Sequence, residues 1–137
     1  MKTYSILAIL AIMSIVASCK KDQSIPYGKH KDNPPARKVR YELYTNENFK
    51  GEDKNITFRL FMRNNTRTIL DSALATMKIE DIPDFNHRII VEKLVPGNDT
   101  SRLVVGFIYD IENVGESWNL EEFPSGETYK VVSYPFR

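Results

Sequence analysis

The chain has few of the residues that most often do chemistry. Its single cysteine, Cys19, lies near the N-terminus. The residues after it therefore form no disulfide among themselves and offer no cysteine-ligated zinc and no thiol nucleophile. Only two histidines occur, His30 and His87. Neither G-x-S-x-G nor H-E-x-x-H is present, so a nucleophilic triad or a zinc-protease helix has little to rest on. Internal repeats are lacking, and so is the alternation of strands with long helical patterns that marks a parallel sheet. An excess of one charge is missing too: 19 Lys and Arg stand against 18 Asp and Glu.

That balance hides an asymmetry. Residues 20–40 carry seven basic and two acidic side chains, whereas residues 41–137 carry eleven and sixteen. The mildly acidic body is the wrong surface for nucleic acid, which selects a basic face. The basic segment is either a solvated spacer or, beside a bilayer, a stretch drawn to anionic head groups at about 1 kcal/mol per cation.

What is present begins with an apolar run. Lys2 precedes Ile6 to Ala17, which only Ser14 interrupts, and the small residue Ser18 stands directly before Cys19. The run is too short to span a bilayer and ends at small residues, the layout of a secretory leader. An ordinary buried N-terminal helix fits less well, because polar residues follow at once without a cap or an amphipathic stripe. The tetrapeptide Val16-Ala17-Ser18-Cys19 resembles the lipobox of bacterial lipoprotein signal peptides. The resemblance implies cleavage between Ser18 and Cys19 and a lipidated Cys19 as mature residue one. Lys20-Lys21-Asp22 after the cysteine resembles the CKKD start of Bacteroidota lipoproteins. That implies anchorage in the cell outer membrane, with the periplasmic face and the cell surface both open because only Asp22 is acidic. Each buried methylene adds about 0.8 kcal/mol of membrane affinity, so one acyl chain binds marginally and two or more hold. The diacylglycerol that the resemblance implies is a durable anchor.

Three parts follow: residues 1–18 as signal peptide, 19–38 as lipidated cysteine and disordered tether, and 39–137 as one domain. The tether contains Pro26, Gly28, Pro34 and Pro35 among polar residues, with almost no apolar periodicity. Fully extended it reaches roughly 60 Å. A domain of about 100 residues buries roughly two thirds of its surface on folding, enough for a core without staples.

Within the domain, Val39-Tyr41-Leu43 alternate with Arg40-Glu42-Tyr44, and Ile56-Phe58-Leu60-Met62 alternate with Thr57-Arg59-Phe61-Arg63. Both read as half-buried strands of an antiparallel sheet with one solvated face. Residues 88–111 read as a hairpin turning at Pro96-Gly97-Asn98-Asp99-Thr100. In that register Val95 faces Ser101, Val91 faces Val105 and Ile89 faces Phe107. It gathers Ile89, Val91, Leu103, Val105, Phe107, Tyr109 and Ile111 on one side, a division that a one-residue slip would invert. Residues 66–83 fit helical spacing through Ile69, Leu70, Ala73, Leu74 and Met77, yet Ala75 to Glu80 alternate, and extended structure is the expectation. A closing strand is expected from about Thr128 to Tyr134. Short strands separated by turns point to an all-β, single antiparallel β-sandwich. The Val-x-Tyr-Glu opening strand, central hairpin and Tyr-rich closing strand resemble small immunoglobulin-like or transthyretin-like Bacteroidota lipoprotein domains. That group implies no catalytic motif.

Candidate chemistry is sparse. Asp81, Asp84 and His87, each three apart, could curl around an ion, but Pro83 among polar residues reads as a turn, so no metal and no cofactor is expected. Glu116, Glu121 and Glu122 lie close in sequence, but neighbours on a strand point to opposite faces, so a small hydrolase is the least favoured reading. Trp118, in an expected loop from Asn113 to Glu127, either stacks on a sugar or a protein partner or plugs the sandwich with Leu120 and Phe123, which is the favoured role. Tyr44 and Phe61 fall on outward faces and join Trp118 as candidate ligand contacts. Asp71-Ser72-Ala73 resembles the O-glycosylation acceptor of exported Bacteroidota proteins. The N-x-T triplets at Asn55, Asn64 and Asn98 read as incidental behind a bacterial lipobox. The expected protein is thus a lipid-anchored envelope lipoprotein with a protein or glycan partner at the envelope and a monomeric, non-catalytic module. A carbohydrate-binding module beside a glycan-uptake system is the alternative.

Overall fold

The structure is a computed structural model that describes residues 35–137; Ser18, Cys19 and most of the tether lie outside the described residues. Alternation of apolar and polar residues builds seven strands: β1 (Lys38–Thr45), β2 (Asn55–Arg63), β3 (Thr68–Lys78), β4 (Ile89–Leu94), β5 (Leu103–Ile111), β6 (Gly115–Phe123) and β7 (Tyr129–Phe136). They form a three-stranded sheet in the order β4-β1-β7 and a four-stranded sheet in the order β3-β2-β5-β6. The two pack as an all-β sandwich, as the strand pattern predicts.

The inward set of each strand makes the core. Val39, Tyr41 and Leu43 of β1 meet Ile56, Phe58, Leu60 and Met62 of β2 and Leu103, Val105 and Phe107 of β5, all essentially without solvent contact. Fully burying one such side chain is worth about 1.5–3 kcal/mol. Aromatic edges tie the sheets together: the Tyr41 and Phe107 rings lie 5.6 Å apart at 81°, and those of Phe58 and Phe136 lie 5.9 Å apart at 87°. The buried Tyr41 hydroxyl is satisfied by donating to the Phe61 carbonyl across the core, at 3.0 Å. Burial without a charged partner pushes its pKa well above the usual tyrosine value.

The expected hairpin between β4 and β5 does not form. Val91 lies opposite Tyr41 and Ile89 opposite Leu43 of β1, while β5 pairs with β2 and β6. The turn after Val95 carries the chain from one sheet to the other, so the two apolar sets meet across the core rather than side by side. Their facing is nevertheless as the alternation predicts: Leu103, Val105 and Phe107 are buried, and Ile89, Val91, Tyr109 and Ile111 pack against them. Period-2 patterning specifies a face and says nothing of a neighbour.

Residues 66–83 are extended over β3, then make a short 3-10 turn at Ile79–Asp81. The expected loop from Asn113 to Glu127 is instead mostly β6. The closing strand runs to Phe136 through Pro135, which an edge strand tolerates. One pairing is parallel, β1 with β7, from Lys38 opposite Tyr129 to Thr45 opposite Phe136.

Residues just ahead of Val39 also pack into the sandwich. Lys38 opens β1, and Arg37 is only 3% exposed. Its Nε donates to the Glu127 carbonyl at 2.8 Å. Nη1 donates to Asp99 at 2.8 Å and to Ser101 at 2.6 Å. Nη2 donates to Pro124 at 2.7 Å and to Phe123 at 3.4 Å. The guanidinium also lies over the Phe123 ring, 4.0 Å from its centroid. All five donors of the fork thus meet backbone carbonyls, from the β4–β5 and β6–β7 connections and from Phe123 at the end of β6. Burial pushes the guanidinium down from its usual range, and the nearby Asp99 and Glu127 carboxylates oppose that shift.

Asp99 brings acid sensitivity to the same end of the sandwich. Hydrogen bonds from the Ser101 hydroxyl, from Asn64 and from the Ser101 amide hold its carboxyl below the usual range. The folded carboxyl binds its proton more weakly than the unfolded one. Its contribution is therefore complete above the unfolded pKa of about 3.9 and drains as pH falls through the lower folded value. We expect the urea midpoint to fall below about pH 4 in the wild type and to fall less in Asp99→Asn, as followed by circular dichroism.

Candidate functional site

The outer face of the four-stranded sheet carries the features that the core does not need. Side chains alternate across β2, β5 and β6 in rows. Arg59, Ile108 and Trp118 lie abreast, and Phe61, Gly106 and Leu120 lie abreast in the next row. Trp118 is 65% exposed. The plug expected of it is supplied by Phe123, which is buried. The reason is register: Trp118 falls opposite Ile108 on the outward parity of β6, and Phe123 falls opposite Leu103 on the inward one.

Gly106 forms a floor between Phe61 and Leu120. A Cβ there would sit 2.0 Å from the Asn119 carbonyl oxygen and 2.8 Å from Leu120 Cα. The rim is ionic but internally paired. Arg59 bridges Asp71 at 3.2 Å and Glu116 at 2.6 Å, and Arg102 pairs with Glu122. These are exposed pairs, worth little to stability, and they leave the face close to neutral.

The structure brings Trp118 and Phe61 onto one face and leaves Tyr44 elsewhere. Tyr44 lies on β1 in the other sheet, with its ring 5.1 Å from Phe85 in an edge-to-face contact. Phe85 belongs to the short 3-10 turn Phe85–His87 between β3 and β4. That sheet has exposed apolar side chains of its own, Ile90, Leu94, Tyr129 and Val131, around the Arg40–Glu42–Arg88 ion cluster.

Asp84 and His87 form a turn, as expected. Asp84 Oδ1 accepts from the Asn86 and His87 amides at 2.9 and 3.0 Å and meets His87 Nδ1 at 2.8 Å. These contacts, the His87 side chain first, hold the Asp84 carboxyl below its usual range. Among the described residues, no three His, Cys, Asp or Glu side chains gather around a common point that could hold a metal. The glutamates of β6 are each drawn to a different cation, Glu116 to Arg59, Glu122 to Arg102 and Glu121 to Lys130. The concave His-and-carboxylate cluster a hydrolase would use is not formed by them. Ser72 lies opposite Leu60 within β3 and is half-buried.

Beside Trp118 lies a second feature that sequence reasoning missed. On its inward side β6 carries Ser117, Asn119 and Glu121, facing β7 across the open seam of the sandwich. Asn119, Tyr134, Pro135 and Arg137 line a cleft there of about 230 Å³. Asn119 Oδ1 is buried and accepts no hydrogen bond from the described residues. Tyr134 donates to the Tyr109 hydroxyl at 3.1 Å, and its own pKa is raised by burial and by that contact. The only signal in the sequence was polar residues at every second position of 117–121.

Comparison with protein-family models, with curated proteins and with solved structures finds no match to this chain.

Proposed function

We propose that this chain is a lipid-anchored envelope lipoprotein whose β-sandwich is a non-catalytic binding module. The lipobox-like Val16-Ala17-Ser18-Cys19 and the Lys20-Lys21-Asp22 that follows support the anchor. The observation that carries the binding reading is Trp118, 65% exposed on the outer face of the edge strand β6 rather than in the core. Trp is highly buried on average, so an indole left in water on a rigid strand supports a contact surface.

The anchor is tested by detergent-phase partitioning of the bacterially produced chain. Wild type should enter the detergent phase, and Cys19→Ser should remain in the aqueous phase. Equal partitioning of the two, or an intact mass that retains residues 1–18, would refute the anchor. A glycan ligand is the second reading, favoured by Trp118 standing beside the hydrogen-bonding groups of Arg59 and Glu116 on a flat face. Titration with neutral oligosaccharides should then quench Trp118 emission, and an unresponsive Trp118 counts against it.

A further inference from the structure

β6 and β7 are outermost strands of opposite sheets, and among the described residues they share no strand pairing across the seam between them. The Lys130–Glu121 ion pair, at 2.8 Å, ties the two strands together at one point. Two positions from Glu121 and on the same side of β6, Asn119 stands where the seam opens into the cleft of about 230 Å³.

Charge is the first property of that cleft that selects a ligand. Arg137 is the only charged residue lining it. Among the described residues no carboxylate side chain pairs with Arg137, because the acids of β6 are held by Arg59, Arg102 and Lys130. Burial, and then the contact with Tyr109, push the Tyr134 hydroxyl up, and the Arg137 guanidinium is near enough to oppose them. A carboxylate entering here meets an unengaged planar fork that matches its geometry.

The second property is the buried Asn119 Oδ1, an acceptor without a donor. Leaving such a group unpaired is costly, so a ligand that brings a donor is favoured. An ammonium donor would be repelled by Arg137, which selects a neutral hydroxyl. The third property is the wall: Tyr134 and Pro135 present ring faces against which the C–H face of a pyranose packs. The volume lies below the range of about 300–1,000 Å³ that holds drug-sized ligands, so it suits a single ring.

We infer that this cleft binds a sugar-acid unit, its carboxylate on Arg137, a hydroxyl donating to Asn119 Oδ1 and its ring against Tyr134. The inference rests on the binding-module reading and names a ligand class for a site separate from the Trp118 face. Trp118 and Asn119 are chain neighbours and therefore point to opposite sides of β6.

The test titrates the isotope-labelled full-length chain, in zwitterionic detergent micelles, with methyl β-D-glucuronide. The NMR signals of the Asn119 side-chain amide and the Arg137 Nε–H should both move, with a dissociation constant of about 1 mM or tighter for a ligand of this size. Methyl β-D-glucoside keeps the ring without the carboxylate, and acetate keeps the carboxylate without the ring. Each should bind at least about tenfold more weakly, one good polar contact or one packed ring being lost. Arg137→Gln should erase the preference for the glucuronide over the glucoside. Asn119→Leu should weaken glucuronide binding by about tenfold yet melt no lower than wild type, because it removes an unpaired buried acceptor.

Signals that stay still at about 10 mM glucuronide, ten times the expected constant, would overturn the inference. So would equal binding of glucuronide and glucoside, acetate binding as tightly as the glucuronide, or a lower melting temperature of Asn119→Leu. Neutral oligosaccharides that quench Trp118 while the glucuronide moves neither Asn119 nor Arg137 would remove this inference and leave the binding-module reading in place.

Discussion

Arg37→Ala is expected to cost the domain about 3–5 kcal/mol, the range for removing one member of a buried, fully hydrogen-bonded charged group. The side chain cannot be treated as a surface cation, since it is 3% exposed and every donor is engaged. Alanine would strand carbonyls of Asp99, Ser101, Pro124 and Glu127 and open a void against Phe123. Arg37→Lys keeps the charge but brings three donors in place of five and no planar fork, so an intermediate loss is expected. Because 1 kcal/mol is worth about 4–8 °C in a domain near this size, the alanine variant should melt at least about 12 °C lower. Arg67→Ala, in an exposed turn, is the control and should stay within about 0.5 kcal/mol. Equal melting of all three proteins would show that the five contacts do not hold that end of the sandwich.

Gly106→Ala should be comparably damaging, at about 3 kcal/mol, the upper part of the overpacking range. The obstacles to a Cβ are the Asn119 carbonyl oxygen and Leu120 Cα. Both belong to the backbone, so neither can swing aside as a flexible side chain would. Relief requires β6 to move away from β5, and the loss should therefore be local before it is global. Deuterium uptake should rise first in residues 115–123, while the β1–β7 pairing stays protected until general unfolding. Uniform loss of protection, or none, would contradict that placement of the strain.

The facing of the strands was legible in the sequence and their partnering was not. Val39-Tyr41-Leu43 and Ile56 to Met62 alternate because one side of each strand is core and the other is water. The same rule placed Leu103, Val105 and Phe107 inward. It could not say whether Pro96 to Thr100 returns the chain beside β4 or carries it to the opposite sheet, since both geometries bury the same residues. β6 reads as a loop in the sequence because an edge strand is partly wet on both sides. Glu116, Trp118, Leu120 and Glu122 lie outward and Ser117, Asn119 and Glu121 inward, which leaves no apolar period to detect. Arg37 gave no warning either, because a single arginine beside a Pro-rich stretch looks the same whether it points to solvent or closes a cap. Trp118, expected to plug the sandwich, is exposed instead, because the register of β6 places it on the outward parity.

The parallel alignment of β1 with β7 has a kinetic consequence. Thr45 and Phe136, 91 positions apart, end the same ladder. Contacts so distant along the chain make the rate of folding fall, because the loop between them must close before the pairing returns any energy. β1 can zip to β4 first, but its second flank stays open until the last strand of the described body has been delivered. A chain emerging N-terminus first would thus carry a sticky, half-paired β1 until β7 arrives to seal it.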